Sequence, residues 1–266
     1  MKRNTEHPDV IDHLRIQLTA LKANHGLCSM KTGTEVEDMS FGEIQFLRQI
    51  SAGIVPLYVK IGGPEARNDI RNLIQIQVDG IIAPMIESPY ALKNFITAFR
   101  ETSWQDHHSI ELGINLETIT GYRQMHDILS HEAASSLSQV TAARTDLSGS
   151  MELHADDERV LAICDDIVKT CSAKGLTTSV GGAIHPGIIE TLITKIHSDH
   201  VNTRHMVLST KAIAADAKYA LIRNLQFEIE LYRILSNDTE NSKRSLHFKR
   251  SETLQKRLET SLHFIG

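Results

Sequence analysis

The chain has 266 residues, 41% of them hydrophobic and 23% charged, with a formal net charge of −5. That composition supports a packed core, excludes disorder as the main state and argues against nucleic acid as a general partner. No apolar run reaches the roughly 18 residues that span a bilayer. The opening segment MKRNTEHPDV lacks the apolar core of a secretion signal. Three scattered cysteines (Cys28, Cys164, Cys171) make neither a disulfide framework nor a zinc site, so a cytoplasmic protein without a membrane partner is expected.

Apolar positions at helical spacing (Val10, Ile11, Leu14, Ile16, Leu18, Leu21) predict an amphipathic first helix. Residues 26–31 then form a short apolar run that ends in Thr32-Gly33-Thr34-Glu35. Ser40 and Glu43 have the Ser-x-x-Glu spacing of a capping box, and the helix they open carries Ile44, Phe46, Leu47 and Ile50. Residues 55–63 (VPLYVKIGG) read as a buried strand, followed by a helix from Pro64. Residues 79–87 (DGIIAPMIE) are a strand, and Ser88-Pro89 opens a helix through Phe99. Residues 109–117 (SIELGINLE) are a strand before a helix over about 121–131. Residues 137–147 (LSQVTAARTDL) are a strand before a helix over about 156–174, which Gly175 ends. Residues 177–184 (TTSVGGAI) are a strand, with His185-Pro186-Gly187 opening the next helix. Residues 204–210 (RHMVLST) read as the last strand, and a long polar helical tail follows, whose basic stretch 243–257 reads as a solvated helix face.

Apolar strands alternating with helices predict a parallel sheet covered on both faces. The residues ending successive strands (Glu35, Gly62, Glu87, Glu117, Asp146, Gly181, Ser209) recur every 25 to 35 positions or so, the length of one βα unit. The expected fold is an α/β barrel of the TIM type with a C-terminal helical tail. Seven strands are legible where closure needs eight, so one is expected to be irregular, missing or hidden near the N-terminus. An open doubly wound sheet is the alternative, but no glycine-rich phosphate loop follows the first strand. The expected division is an N-terminal helix over 1–26, the barrel over 27–210 and the helical extension over 211–266.

Such folds carry their sites at the carboxyl ends of the strands. Four acids end strands: Glu35, Glu87, Glu117 and Asp146. Any one alone has the plainer explanation of a wet loop or a helix cap. Glu117 and Asp146 end consecutive strands, which lie about 4.8 Å apart, and two carboxylates so placed repel unless a proton or a cation lies between them. Mg²⁺ or Mn²⁺ is the expected guest, since Mg²⁺ takes one or two carboxylates and keeps its other positions for water and substrate. The backbone of Leu147-Ser148-Gly149-Ser150 can aim amides at a substrate carboxylate. Lys60, inside Val59-Lys60-Ile61, faces either a bound anion or a neighbouring glutamate. Lys31, inside Met30-Lys31-Thr32, either pairs with a carboxylate within the barrel or forms a Schiff base. Arg144 could bind an anion or hold the metal carboxylates in place. His107-His108 and the group His197, His200 and His205 resemble ligand clusters by count only.

Three segments in order, Asp79 with Gly80-Ile81-Ile82-Ala83-Pro84-Met85-Ile86-Glu87-Ser88, Ile114-Asn115-Leu116-Glu117-Thr118, and Arg144-Thr145-Asp146-Leu147-Ser148, resemble the HpcH/HpaI aldolase and citrate-lyase β-subunit family of the phosphoenolpyruvate/pyruvate barrel superfamily. The resemblance extends to a branch with a Lys-Thr-x-x-Glu start and a Lys-Ile-Gly-Gly strand, matched by residues 31–35 and 60–63, and it covers residues 27–210. It implies a divalent metal on Glu117 and Asp146, with the substrate carboxylate received by amides near Thr145 and Asp146. The family's enolate-stabilising cation, commonly arginine, is Lys60 here, and lysine lacks the planar fork. The family's histidine after the first strand is absent, which leaves Glu35 as the candidate base.

The resulting expectation is a metal-dependent carbon–carbon lyase or aldolase acting on a 2-oxo acid. Lys60, Glu35 and Arg144 are its catalytic candidates. Lys31, Glu87, Thr145, Leu147 and Ser148 are the substrate-contact candidates. The alternatives are a citrate-lyase-like enzyme on an acyl-CoA thioester, a Schiff-base aldolase through Lys31, and a barrel retained for binding or assembly. The partner expected is a small carboxylate. Superfamily members also assemble through exchanged C-terminal helices, so a homo-oligomer is expected, although Leu221, Ile222, Leu225, Ile229, Leu231 and Ile234 would equally suit a tail returning onto its own barrel.

Overall fold

The computed structural model describes residues 7–103, 109–238 and 242–263, so His107 and His108 lie outside the described residues. α1 (Pro8–Asn24) precedes a closed barrel of eight strands in chain order. β1 (Leu27–Gly33), β2 (Leu57–Lys60), β3 (Gly80–Ala83), β4 (Glu111–Leu116), β5 (Gln139–Ala143), β6 (Thr177–Gly181) and β7 (His200–Asn202) are parallel. Helices follow the first six strands in turn: α2 (Phe41–Ser51), α3 (Arg67–Ile76), α4 (Pro89–Ser103), the pair α5 (Ile119–Arg123) and α6 (Met125–Ser130), the pair α7 (Arg144–Ser150) and α8 (Glu158–Ser172), and α9 (Ile189–Lys195). Covered on one side by helices and on the other by the barrel interior, β3 is buried at every position.

The strand missed by periodicity is β7, whose three residues are too short to show a pattern. No helix separates it from β8 (Met206–Ser209), which therefore runs antiparallel to both β7 and β1. The expectation that Ser209 ends a strand at the site end is thereby corrected. Ser209 pairs with His200, the first residue of β7, and sits at the opposite end of the barrel. Residues 203–205, the turn between the two strands, take its place beside the strand ends. Asp146 is likewise not on a strand: β5 ends at Ala143, and Asp146 lies in the first turn of α7.

Local chemistry sets several boundaries as expected. The Ser40 side chain accepts from the Glu43 amide at 3.3 Å while Glu43 Oε2 accepts from the Ser40 amide at 2.8 Å, closing the capping box that starts α2. Leu14, Leu18 and Leu21 of α1 are buried, whereas Ile16 is 70% exposed and does not belong to the apolar face assigned to it.

After β8 the chain forms α10 (Thr210–Ile213), α11 (Ala217–Asn237) and α12 (Arg244–His263). α11 buries Leu221, Leu225, Leu231 and Leu235, and α12 packs back along it. The basic stretch is not simply a solvated face. Lys243 pairs with Asp38 at 2.7 Å, Arg250 donates to the carbonyls of Glu37 at 2.6 Å and Val36 at 2.8 Å, and buried His247 meets Glu43 Oε1 at 2.5 Å. The tail of this chain thus returns onto its own barrel and pins the loop between β1 and α2. Among the described residues no helix is long and apolar enough to cross a membrane.

A row of buried rings joins these parts. His205 Nδ1 lies 3.1 Å from the Lys31 carbonyl, which can only accept, so the proton sits on Nδ1 and Nε2 accepts from Tyr232 Oη at 2.7 Å. Tyr232 stacks on His247 at 5.8 Å between centroids. Burial pushes the His205 pKa from 6.5 down to about 3. Between those values the unfolded chain takes a proton at this residue that the folded protein refuses, so stability falls as pH drops from about 6.5 toward 3, by up to about 1.4 kcal/mol per pH unit. Urea unfolding across that range will show the slope in the native protein and a shallower one in His205→Gln; equal slopes would assign the acid lability to other groups.

Candidate functional site

A cavity of about 170 Å³ opens at the carboxyl end of the barrel. That is below the roughly 300–1,000 Å³ of pockets for drug-sized ligands and suits a small acid. Lys31, Glu37, Lys60, Asn115, Glu117, Thr145, Asp146, Asn202, Arg204 and Glu228 line it.

Glu117 follows β4 and is 1% exposed. Its Oε1 accepts from the Met85 amide at 2.8 Å and its Oε2 from Asn115 Nδ2 at 2.9 Å. Met85 adopts φ 51°, a left-handed backbone that costs a non-glycine residue about 1 kcal/mol. Strain of this kind is found where surroundings and function require it. Burial raises the Glu117 pKa; Lys60 and the two hydrogen bonds oppose that rise, and the charge of Asp146 adds to it. Asp146 reaches the same cavity from the first turn of α7, because the neighbouring strand, β5, pairs in register with β4. Gly182 at φ 82° packs over that turn, and a Cβ there would stand 2.5 Å from the Thr145 nitrogen.

Two hard carboxylates, one of them desolvated and made costlier to ionise by the charge of the other, fit a divalent cation. Among the described residues no three His, Cys, Asp or Glu side chains are grouped to hold a metal. A cation here would therefore depend on two carboxylates, water and substrate oxygens, the mode Mg²⁺ adopts.

Lys60 pairs with Glu35 Oε2 at 2.7 Å, the neighbouring glutamate of its two readings, and also lines the cavity. Burial lowers its pKa, but Glu37, Glu35 and Glu117 outweigh that and leave it raised, hence charged. Lys31 lines the cavity with no hydrogen bond or ion pair to its ammonium among the described residues, and burial lowers its pKa. Glu37, not Glu35, is the acid of this loop in the cavity wall. Burial pushes Glu37 up, and Lys31, Lys60 and Arg204 pull it below the ordinary carboxylate range. Gly33 makes room for it, since a Cβ there would stand 2.5 Å from Glu37 Oε2.

The other expected residues lie elsewhere. Arg144 is fully buried and faces away from the cavity: it donates to Asp156 Oδ1 at 2.7 Å, Ala155 O at 3.2 Å, Gly182 O at 2.7 Å and Ala183 O at 3.1 Å. These bonds staple two loops around α7. Leu147 is core, and Ser148 Oγ donates to the Thr145 carbonyl at 2.9 Å, so of that segment only Thr145 and Asp146 face the cavity. Glu87 accepts from Thr118 Oγ1 at 2.5 Å outside the cavity.

Sequence reading missed Glu37, Asn115, Asn202, Arg204 and Glu228. Asn115 carried a signal, since a polar residue two before Glu117 on an apolar strand shares its face. Glu37 was hidden in an acidic run, and Arg204 and Asn202 in a hairpin that had no legible pattern.

The sequence model of the HpcH/HpaI aldolase/citrate lyase family matches residues 43–183. That span includes Lys60, Glu117 and Asp146 and leaves out Lys31, Glu37 and Arg204. Among solved structures, an HpcH/HpaI aldolase from Desulfitobacterium hafniense is 15% identical over 70% of this chain and 78% of its own, with a TM-score of 0.56. An HpcH/HpaI aldolase/citrate lyase family protein from Burkholderia cenocepacia is 10% identical over 81% and 90%, with a TM-score of 0.58. The citrate synthase SbnG is 14% identical over 80% and 89%, at 0.54. No curated protein matches the chain. At these identities the solved structures speak for the fold alone.

Removing a buried cation while leaving its partner typically costs 3 kcal/mol or more. Arg144→Met is therefore expected to lower the unfolding free energy by about 3 kcal/mol, read by urea titration. A variant as stable as the native protein would contradict the staple.

Proposed function

The chain belongs to the HpcH/HpaI aldolase/citrate lyase family, and on that premise we propose that it is a divalent-metal-dependent carbon–carbon lyase acting beside the carbonyl of a 2-oxo acid. The observation that carries this is the convergence of Glu117 and Asp146 on one small cavity that also holds Lys31 and Lys60. Glu117 and Asp146 would hold Mg²⁺ or Mn²⁺, which would supply Lewis-acid polarisation of the substrate carbonyl.

The protein's own groups supply the rest. Met85 N–H and Asn115 fix both oxygens of Glu117, so its orientation is set before any ligand arrives. Lys60, tethered by Glu35, is a fixed positive charge toward a developing enolate. Glu35 is committed to that tether, and the role of base passes to the cavity wall. Lys31 suits it best, because burial favours its neutral amine, whereas Glu37 is held ionised and weakly basic.

The same unpaired amine supports a second reading, in which Lys31 adds to the substrate carbonyl and water leaves to form an imine. An acyl-CoA thioester donor would use the cavity for its acyl end alone.

Deuterium exchange into the methyl group of pyruvate in D₂O separates these. Exchange is expected with Mg²⁺ or Mn²⁺, loss with chelator, and a fall of about a hundredfold or more in Asp146→Asn and Glu117→Gln with the fold intact. Full activity in either variant would sink the metal assignment. Exchange that survives chelator, with borohydride trapping pyruvate on Lys31, would establish the imine.

A further inference from the structure

We propose that Arg204 binds the distal carboxylate of a 2-oxo diacid and so sets this protein's substrate preference. The proposal rests on reading the cavity as a 2-oxo acid site. It starts from the reversal of β8, which brings the turn 203–205 to the mouth of the barrel where a parallel strand would have begun at the other end.

That turn is held on every side except at its middle residue. Glu228 of α11, fully buried, accepts with Oε1 from Thr203 Oγ1 at 2.5 Å, the His205 amide at 2.5 Å and the Met206 amide at 3.1 Å. The Lys31 amide donates to the His205 carbonyl at 3.0 Å, and the His205 ring is fixed between Lys31 and Tyr232. Thr203 and His205 are buried, while Arg204 between them is half-buried and lines the cavity.

Its guanidinium, with five donors in a planar fork, has no hydrogen bond or ion pair among the described residues. Two acids stand near it, and neither forms an ion pair with it among the described residues. Burial raises the Glu228 pKa and so favours its uncharged form, and Glu37 is shared with Lys31 and Lys60. Around the closed ring β8 is the strand opposite β4. An acid whose 2-oxo end sits at Glu117 and Asp146 therefore extends across the mouth toward Arg204, and a carboxylate at its far end meets the fork bidentately.

The test is calorimetric titration of the full chain in Mg²⁺ with 2-oxo diacids of four to six carbons, and with 2-oxopentanoate as the monoacid equal in length to 2-oxoglutarate. The native protein is expected to bind its best diacid about tenfold to a hundredfold more tightly than the monoacid. Arg204→Gln removes that preference chiefly by weakening the diacid, and Arg204→Lys falls between. Native protein without any diacid preference, or an Arg204→Gln that weakens both acids alike, would overturn the proposal. The first criterion stands even if the variant fails to fold. A preference that persists while pyruvate exchange fails would retain the subsite and discard the lyase reading.

Discussion

Burial of Glu117 beside Asp146 is the constraint around which the upper end of the barrel is arranged. Desolvation and a like charge both oppose ionisation of Glu117, and such a pair is tolerated where a proton or cation lies between the groups. Much of the surrounding structure serves to hold the two in place. Met85 accepts a left-handed backbone to present its amide, Asn115 fixes the second oxygen, and Gly182 permits close cover over the turn that carries Asp146. Arg144 ties that cover down from beneath, a task far from ligand binding, and one that leaves its charge spent on Asp156 and three carbonyls.

The opposite side of the mouth is built by the C-terminal extension. With no crossover helix after β7, β8 returns antiparallel and the chain continues into α11 and α12. Glu228 of α11 pins the hairpin turn, while Lys243, just before α12, and Arg250 of α12 pin the loop that carries Glu35 and Glu37, and His247 of α12 holds Glu43 at the start of α2. Residues after 210 thus help to position two of the cavity's charged side chains, Glu37 and Arg204, which together with Lys31 fall outside the span matched by the family. The half of the cavity around Glu117 and Asp146 lies inside that span, and the half around Lys31, Glu37 and Arg204 lies outside it.

Legibility in the sequence followed the length and regularity of each element. Strands β2 to β6 and the helices between them announced themselves through apolar runs, Ser40 and Glu43 announced the start of α2, and the three segments around Glu87, Glu117 and Asp146 carried the family. A three-residue β7 could not show a period, so the eighth strand, the reversal of β8 and the placement of Arg204 were all lost together. Strand ends also mislead by one turn. Asp146 sits on a helix, and Leu147 and Ser148 rotate away from the cavity for that reason. Between Glu35 and Glu37 the acidic run gave no means of choosing, since the choice depends on Gly33 leaving room for one carboxylate and Lys60 capturing the other.

The most direct test of the account is titration with Mn²⁺ followed by electron paramagnetic resonance, in the native chain and in Asp146→Asn and Glu117→Gln, with circular dichroism to confirm the fold. The account predicts one bound Mn²⁺ per chain, displaced by Mg²⁺ and lost in both variants. Native protein that leaves Mn²⁺ free in solution, or variants that bind it as well as the native chain, would contradict it.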